Sequence, residues 1–437
     1  MAFNEPPSTE GIDAAAQAVR ERARPLANES TLDSLVEAVR DSRCVMFGEA
    51  THGTSEFYRL RAKLTARLLC EENFSFVVVE GDWTDCYDVN RYVKGESDAN
   101  HARDVLSEFD RWPTWMWANW EVVEFAEWLR EHNRDSAENA GFYGLDVYSL
   151  FESMAAVVDY LEDVDPEAVE RAKDAYKCFE PYGEDAREYG RSTRLVPDDC
   201  EDEVVEILAE LRDRRPPHDA EDGEAHFSAE QNALVAANAE EYYRTMVQSS
   251  ADSWNVRDRH MAETLDRLLD HHGSDSKAIV WAHNTHVGDA RATTMAERDR
   301  LNIGQLARER YGADDVSLVG FGTHHGEVIA GKRWGAPMER MSIPAGHAGS
   351  YEDVFHRAGA EDKLLVFSGD GGELAERRGH RAVGVVYDPS HESGNYVPTA
   401  LSERYDAFVH VDETEALHPL HIEPEGTEEP ETYPWGI

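Results

Sequence analysis

Three short apolar runs of this chain end abruptly in groups that can move protons. Cys44-Val45-Met46-Phe47 runs into Gly48-Glu49-Ala50-Thr51-His52-Gly53, Val77-Val78-Val79 into Glu80-Gly81-Asp82, and Ile279-Val280-Trp281 into Ala282-His283-Asn284-Thr285-His286. An imidazole titrates near neutral pH and can act as a general base, and a carboxylate three residues away can orient it or bias its proton affinity. Open α/β sheets gather their chemistry at the carboxyl ends of strands. Glu49, His52, Glu80, His283 and His286 are therefore expected to converge on one rim. Asp146, which closes Tyr143-Gly144-Leu145, is a further candidate polar contact for a substrate.

Arg61 joins this set through its place on a helix. The segment from about Thr54 to Glu72 reads as helical, with Thr54 or Ser55 as the cap. At about 100° per residue, Phe57, Leu60, Leu64 and Leu68 fall within a stripe of about 80°, and Arg61 lies about 40° from Phe57. A guanidinium facing the sheet is costly unless an anion meets it, so Glu49 and Glu80 are its expected partners. The blander alternative is that Arg61 snorkels to the rim.

Two chemistries fit these residues. In one, neutral His52 takes a proton from water, Glu49 or Glu80 fixes its tautomer, and Arg61 with His283 stabilises an oxyanion as an ester carbonyl is attacked. In the other, His52, His283, His286 and a glutamate hold a divalent metal that acidifies the water. The spacing is not HExxH, so the first reading, with no metal and no cofactor, is the one carried forward. A serine nucleophile lacks its GxSxG elbow. Trp112, Trp115, Trp117, Trp120 and Trp128 either pack as one amphipathic helix or form an aromatic wall for a bulky apolar ligand, with Trp117, His286 and Asp146 as its contacts. His324-His325, just past another expected strand end, has no role assigned.

The elements that must position these residues alternate. Strand-like runs recur at Val45–Phe47, Phe76–Val79, Phe142–Leu145, Ile279–Trp281, Val316–Val319, Leu364–Phe367, Ala382–Val386 and Ala407–Val411. Helix-length segments separate most of them, which predicts an α/β fold around a mainly parallel sheet. Residues 12–40 carry a helical pattern, and 1–40 is taken as an N-terminal helix. Residues 41–150 and 275–437 form the expected core, and 151–274, without a convincing strand, is expected to be a helical insertion or lid. Arg214–Gly223 reads as a mobile, turn-rich connection, and Glu423–Pro430 as an acidic tail.

Bulk composition narrows the partners. The chain has 437 residues and a formal charge of −45, from 88 acidic and 43 basic residues, and 36 of the basic ones are Arg. An acid-rich, lysine-poor surface suits concentrated salt, where charge repulsion is screened, and it disfavours nucleic acid and anionic membranes. Five cysteines without CxxC spacing predict reduced thiols rather than a disulfide framework or a zinc site. No apolar run approaches the roughly 20 residues of a membrane span, and a cytoplasmic location is expected.

Gly48-Glu49-Ala50-Thr51-His52-Gly53, Val79-Glu80-Gly81-Asp82-Trp83 and Trp281-Ala282-His283-Asn284-Thr285-His286-Val287-Gly288 resemble motifs of the erythromycin esterase family. So do Gly384-Val385-Val386-Tyr387, Tyr405-Asp406-Ala407-Phe408 and Tyr433-Pro434-Trp435-Gly436. The resemblance, to a haloarchaeal-type member, covers nearly the whole chain from about residue 40. It implies a three-layer α/β/α core with a large helical insertion. It also implies hydrolysis of a small-molecule ester or macrolide lactone by activated water, without an obligatory metal. His52 matches the family's general base, Glu49 and Glu80 its supporting glutamates, Arg61 its arginine, and His283 and His286 its later histidines. A metal-dependent hydrolase using the same residues, and a ligand-binding protein without turnover, stand as the alternatives.

Overall fold

Apolar runs too short to show any alternation are what strands covered on both faces look like. The computed structural model describes residues 8–26, 29–136, 139–182, 185–193, 199–213, 223–247, 250–369 and 371–421. Its strands are β1 (Arg24–Pro25), β2 (Cys44–Phe47), β3 (Phe76–Asp82), β4 (Gly141–Asp146), β5 (Ala278–Trp281), β6 (Val316–Gly331), β7 (Met338–Ile343), β8 (Lys363–Val366), β9 (Arg378–Arg381), β10 (Tyr396–Thr399) and β11 (Ala407–Thr414). Nine of them form one sheet in the order β1-β8-β11-β6-β2-β5-β3-β4, with β7 hairpinned onto β6, while β9 and β10 pair separately. From β11 to β4 every neighbouring pair is parallel.

Every residue of β2, β3, β4 and β5 is buried. Alternate side chains go to opposite layers. Val45, Phe47, Val77, Val79, Ile279 and Trp281 pack with the helices Glu29–Val39, Ser55–Glu71, Trp83–Val93 and Trp120–Asp135. Cys44, Met46, Phe76, Val78, Ala278 and Val280 pack with Thr9–Arg22, Ser250–His271, Ile303–Tyr311 and Tyr351–Ala358. The result is a three-layer α/β/α core, in which a fully buried Leu64 or Leu68 contributes about 1.5–3 kcal/mol. Between β4 and β5 the described residues hold helices and no strand, beginning at Leu150 and ending at His271.

Several local expectations change. The pattern over 12–40 forms two helices, because Arg24–Pro25 pairs with β8 and proline cannot continue a helix. β5 lies between β2 and β3, a crossover that chain order does not reveal. Ala382–Val386 makes only isolated bridges, at Val383 and Val386, and the strand there is Arg378–Arg381. His324 and His325 lie inside β6 rather than past its end, because β11 pairs alongside them and the β7 hairpin continues the strand from Gly326 onward. Trp115 lies in the short 3-10 turn Thr114–Met116, Trp120 and Trp128 in the helix Trp120–Asp135, and Trp112 and Trp117 outside both, so they do not form one helical face. Cys178 and Cys200 are joined in a disulfide, while Cys44, Cys70 and Cys86 are free. The folding of the helices between β4 and β5 brings that pair together, which no local spacing encodes. Residues 214–222 of the polar connection, the acidic tail and Tyr433–Gly436 lie outside the described residues.

Candidate active site

The loop after β2 is held tightly before it offers any chemistry. A Cβ on Gly48 would meet Asn284 Oδ1 at 2.1 Å, and one on Gly53 would meet the Ile329 carbonyl at 2.0 Å, so both positions need glycine. Between them His52 Nδ1 sits 2.8 Å from Glu49 Oε1, and Arg61 donates to Glu49 Oε2 at 2.7 Å. Arg61 is wholly buried on its helix, with its guanidinium over the rings of Tyr58 and Trp281. Glu49 can only accept, so it takes the Nδ1 proton and leaves the lone pair of the neutral ring on Nε2. That Nε2 is 3.9 Å from Glu80 Oε1, beyond hydrogen-bond reach.

β5 intervenes between β2 and β3 and brings the later histidines into the gap. The His283 backbone donates to Glu80 Oε2 at 2.7 Å, and the His283 ring lies 4.8 Å from that of His52, centroid to centroid. Thr285 N donates to His283 Nδ1 at 3.3 Å, which puts the ring's proton on Nε2. Among the described residues this buried Nε2 has no hydrogen-bond partner. Burial, reinforced by the neighbouring His52, holds the His283 imidazole well below its usual proton affinity, so it is a neutral donor.

Arg257, on the helix Ser250–His271, ties the rest together. It donates to Glu80 Oε1 at 2.7 Å, to Asp146 Oδ1 at 2.8 Å and Oδ2 at 2.7 Å, and to His286 Nε2 at 3.1 Å. His286 Nδ1 in turn faces Asp258 at 2.9 Å, and its ring stacks on Trp254. Burial works against an ionised Glu80, but His286, His52 and Arg257 outweigh it and hold the carboxyl well below the usual range. The guanidinium thus stands as a positive charge among Glu80, Asp146 and His286. Asp146 and His286 line the pocket, and both are hydrogen-bonded to Arg257.

The pocket wall opposite is aromatic and apolar: Phe109, Trp112, Met116, Trp117, Trp334 and Val385 line it. Trp117 is fixed by donating its indole N–H to the Glu80 carbonyl at 2.9 Å. Trp115 and Trp128 belong to the core packing, and Trp120 is exposed. An acidic margin, Asp82 and Asp85 with Arg111, completes the rim. Burial pushes the Asp82 carboxyl up to about 7 against the opposing charge of Arg111.

The candidates Glu49, His52, Arg61, Glu80, His283, His286, Asp146 and Trp117 thus converge, and Arg257 and Asp258 join them from outside the sequence-based set. A signal for the latter was present: Trp254, Asp258, Met261, Leu265 and Leu268 repeat at helical spacing, so Asp258 sits on an apolar stripe as Arg61 does.

Comparison with known proteins identifies the family and the fold. The profile of the erythromycin esterase family matches residues 70–414, which includes Glu80, Asp146, Arg257, His283 and His286 and begins after Arg61. Erythromycin esterase type II of Escherichia coli is 22% identical over 363 residues, covering 78% of this chain and 84% of that protein. A Bacillus cereus protein shares the fold with a TM-score of 0.78 at 20% identity, over 95% of this chain and 100% of that one. An erythromycin esterase mutant in an open conformation gives a TM-score of 0.67 at 18% identity, over 90% and 96% of the two chains. The chain belongs to the erythromycin esterase family.

Proposed function

We propose that this pocket hydrolyses an ester or lactone of a bulky apolar small molecule, a macrolactone being the leading candidate, with water activated at His52. One observation carries the reading. His52, with its lone pair on Nε2, and His283, whose buried Nε2–H has no hydrogen-bond partner among the described residues by distance and angle, line the same pocket beside an aromatic wall. Water gives its proton to His52 Nε2 as its oxygen adds to the carbonyl carbon, and the oxyanion forms against His283 Nε2–H. Collapse breaks the bond to the alcohol oxygen, which recovers the proton from His52. Glu49 and Glu80 stabilise the transient imidazolium, Arg61 fixes Glu49, and Arg257 with Asp146 and His286 fixes Glu80. Trp112 and Trp117 hold the apolar body of the substrate. The erythromycin esterase named among the relatives supports this substrate class.

We further read the acid-rich, lysine-poor chain as a cytoplasmic protein of concentrated salt that binds neither nucleic acid nor membrane. Among the described residues no helix is long and apolar enough to cross a membrane. The test is a panel of macrolides and simpler lactones in molar salt, comparing wild type with His52→Ala. Turnover should fall by about 100-fold or more, the size of a lost general base. Retained turnover moves the base elsewhere, loss of activity on chelation favours a metal hydrolase, and intact ligand recovered from wild type leaves only a binding protein.

A further inference from the structure

A second group of histidines lies on β6 and β11, and none of its members lines the pocket. β11 runs parallel to β6 with Val411 opposite Thr323 and Glu413 opposite His325, which sets Asp412 beside His324. His324 Nδ1 and His325 Nδ1 face each other at 3.2 Å. His324, His325 and Asp412 each offer one ligand atom, and these three atoms all lie within 4.8 Å of one another. Two nitrogens bound at about 2.0–2.1 Å to a tetrahedral zinc ion stand roughly 3.3 Å apart, so the imidazole pair already has the spacing of a shared cation.

The surroundings support the same assignment. His356, at the end of the helix Tyr351–Ala358, stacks on His324 with centroids 3.8 Å apart, and its Nδ1 lies 2.9 Å from Asp412 Oδ1. His410 Nε2 approaches Asp412 Oδ1 at 3.4 Å. The carboxylate is thereby oriented from behind, as the outer partners of metal ligands do. The nearby permanent cations are engaged elsewhere. Arg381 donates to the carbonyls of Thr323 and His324, and Lys363 to those of Gly359 and Glu361. Two imidazoles and a carboxylate are a donor set for zinc and similar first-row ions rather than for magnesium or calcium.

We propose that His324, His325 and Asp412 bind one zinc-class divalent cation, with the fourth position open to solvent beside half-exposed His325, and that the ion clamps β6 to β11. This does not depend on the ester reading.

The test uses the full chain, stripped by chelator dialysis and titrated with Co²⁺, whose visible bands report coordination geometry. Wild type should take up one equivalent with a four-coordinate spectrum, Zn²⁺ should displace it, and Zn²⁺ should raise the Tm. His325→Ala and His324→Gln should bind that equivalent about 100-fold more weakly and show no Tm rise. Because His325 is half-exposed, the first variant should retain the wild-type melting transition without metal. The proposal fails if wild type and His325→Ala take up equal Co²⁺ with the same spectrum, or if Zn²⁺ shifts both Tm values alike.

Discussion

The two histidine groups sit on neighbouring strands of one sheet, yet their centres are filled differently. Around β2 and β5, Arg257 stands among Glu80, Asp146 and His286 as a fixed positive charge. Each of His52, His283 and His286 has a separate partner that sets its tautomer. Around β6 and β11, no guanidinium donates to Asp412 or to the imidazole rings among the described residues, and two rings turn the same nitrogen to one point. Histidine count does not separate a proton-transfer site from a metal site. What separates them is whether the protein supplies the central cation itself.

Arg257→Met attacks that distinction most directly. It leaves Glu80 and Asp146 buried without their shared partner, and unpaired buried charge of this kind costs about 3–5 kcal/mol. Urea unfolding at neutral pH should show that loss, with turnover falling as Glu80 gains a proton. A variant within about 1 kcal/mol of wild type would mean that the guanidinium is not the cation holding this site together. His283→Phe should have a smaller effect, keeping the ring against His52 but removing the free Nε2–H. Loss of one such donor should lower kcat by about 100-fold with KM little changed. A change confined to KM would assign His283 to substrate binding instead.

The first group was legible because each member ends an apolar run, so the chemistry is written where the strand pattern stops. Arg61 was legible as a charge on an apolar stripe, and Arg257 with Asp258 carried the same signal on a helix far along the chain. What could not be read was how distant segments meet. The insertion of β5 between β2 and β3 is a matter of sheet order, and it is this insertion that brings His283 between His52 and Glu80. The Cys178–Cys200 bond likewise depends on how separate helices pack. His324-His325 misled for a different reason. Polar residues inside β6 resemble a strand end because the pairing that continues the strand, with β7 and with β11, comes from later in the chain.

The smallest expected effect tests whether the second group is kept unprotonated by the fold, as a cation site requires. The His324 ring falls from its ordinary 6.5 to about 4, chiefly through burial and then through the adjacent imidazoles of His356 and His325. Between those values the unfolded chain binds a proton that the folded chain refuses, so stability must drop as pH falls through this window. Asp412 adds its own acid sensitivity only lower down. Burial opposes its ionisation, but the hydrogen bonds and charges of His410 and His356 hold it below the usual carboxylate range. His283 in the first group, also held neutral, contributes with the same sign. Metal-free His324→Gln should therefore lose less stability than wild type when urea unfolding is repeated from about pH 7 down to about pH 4.5, with the two curves converging toward the acid end. Parallel curves would show that the ring takes up its proton in the folded state, and the contrast between a site that supplies its own cation and one prepared for a metal would then lose its second half.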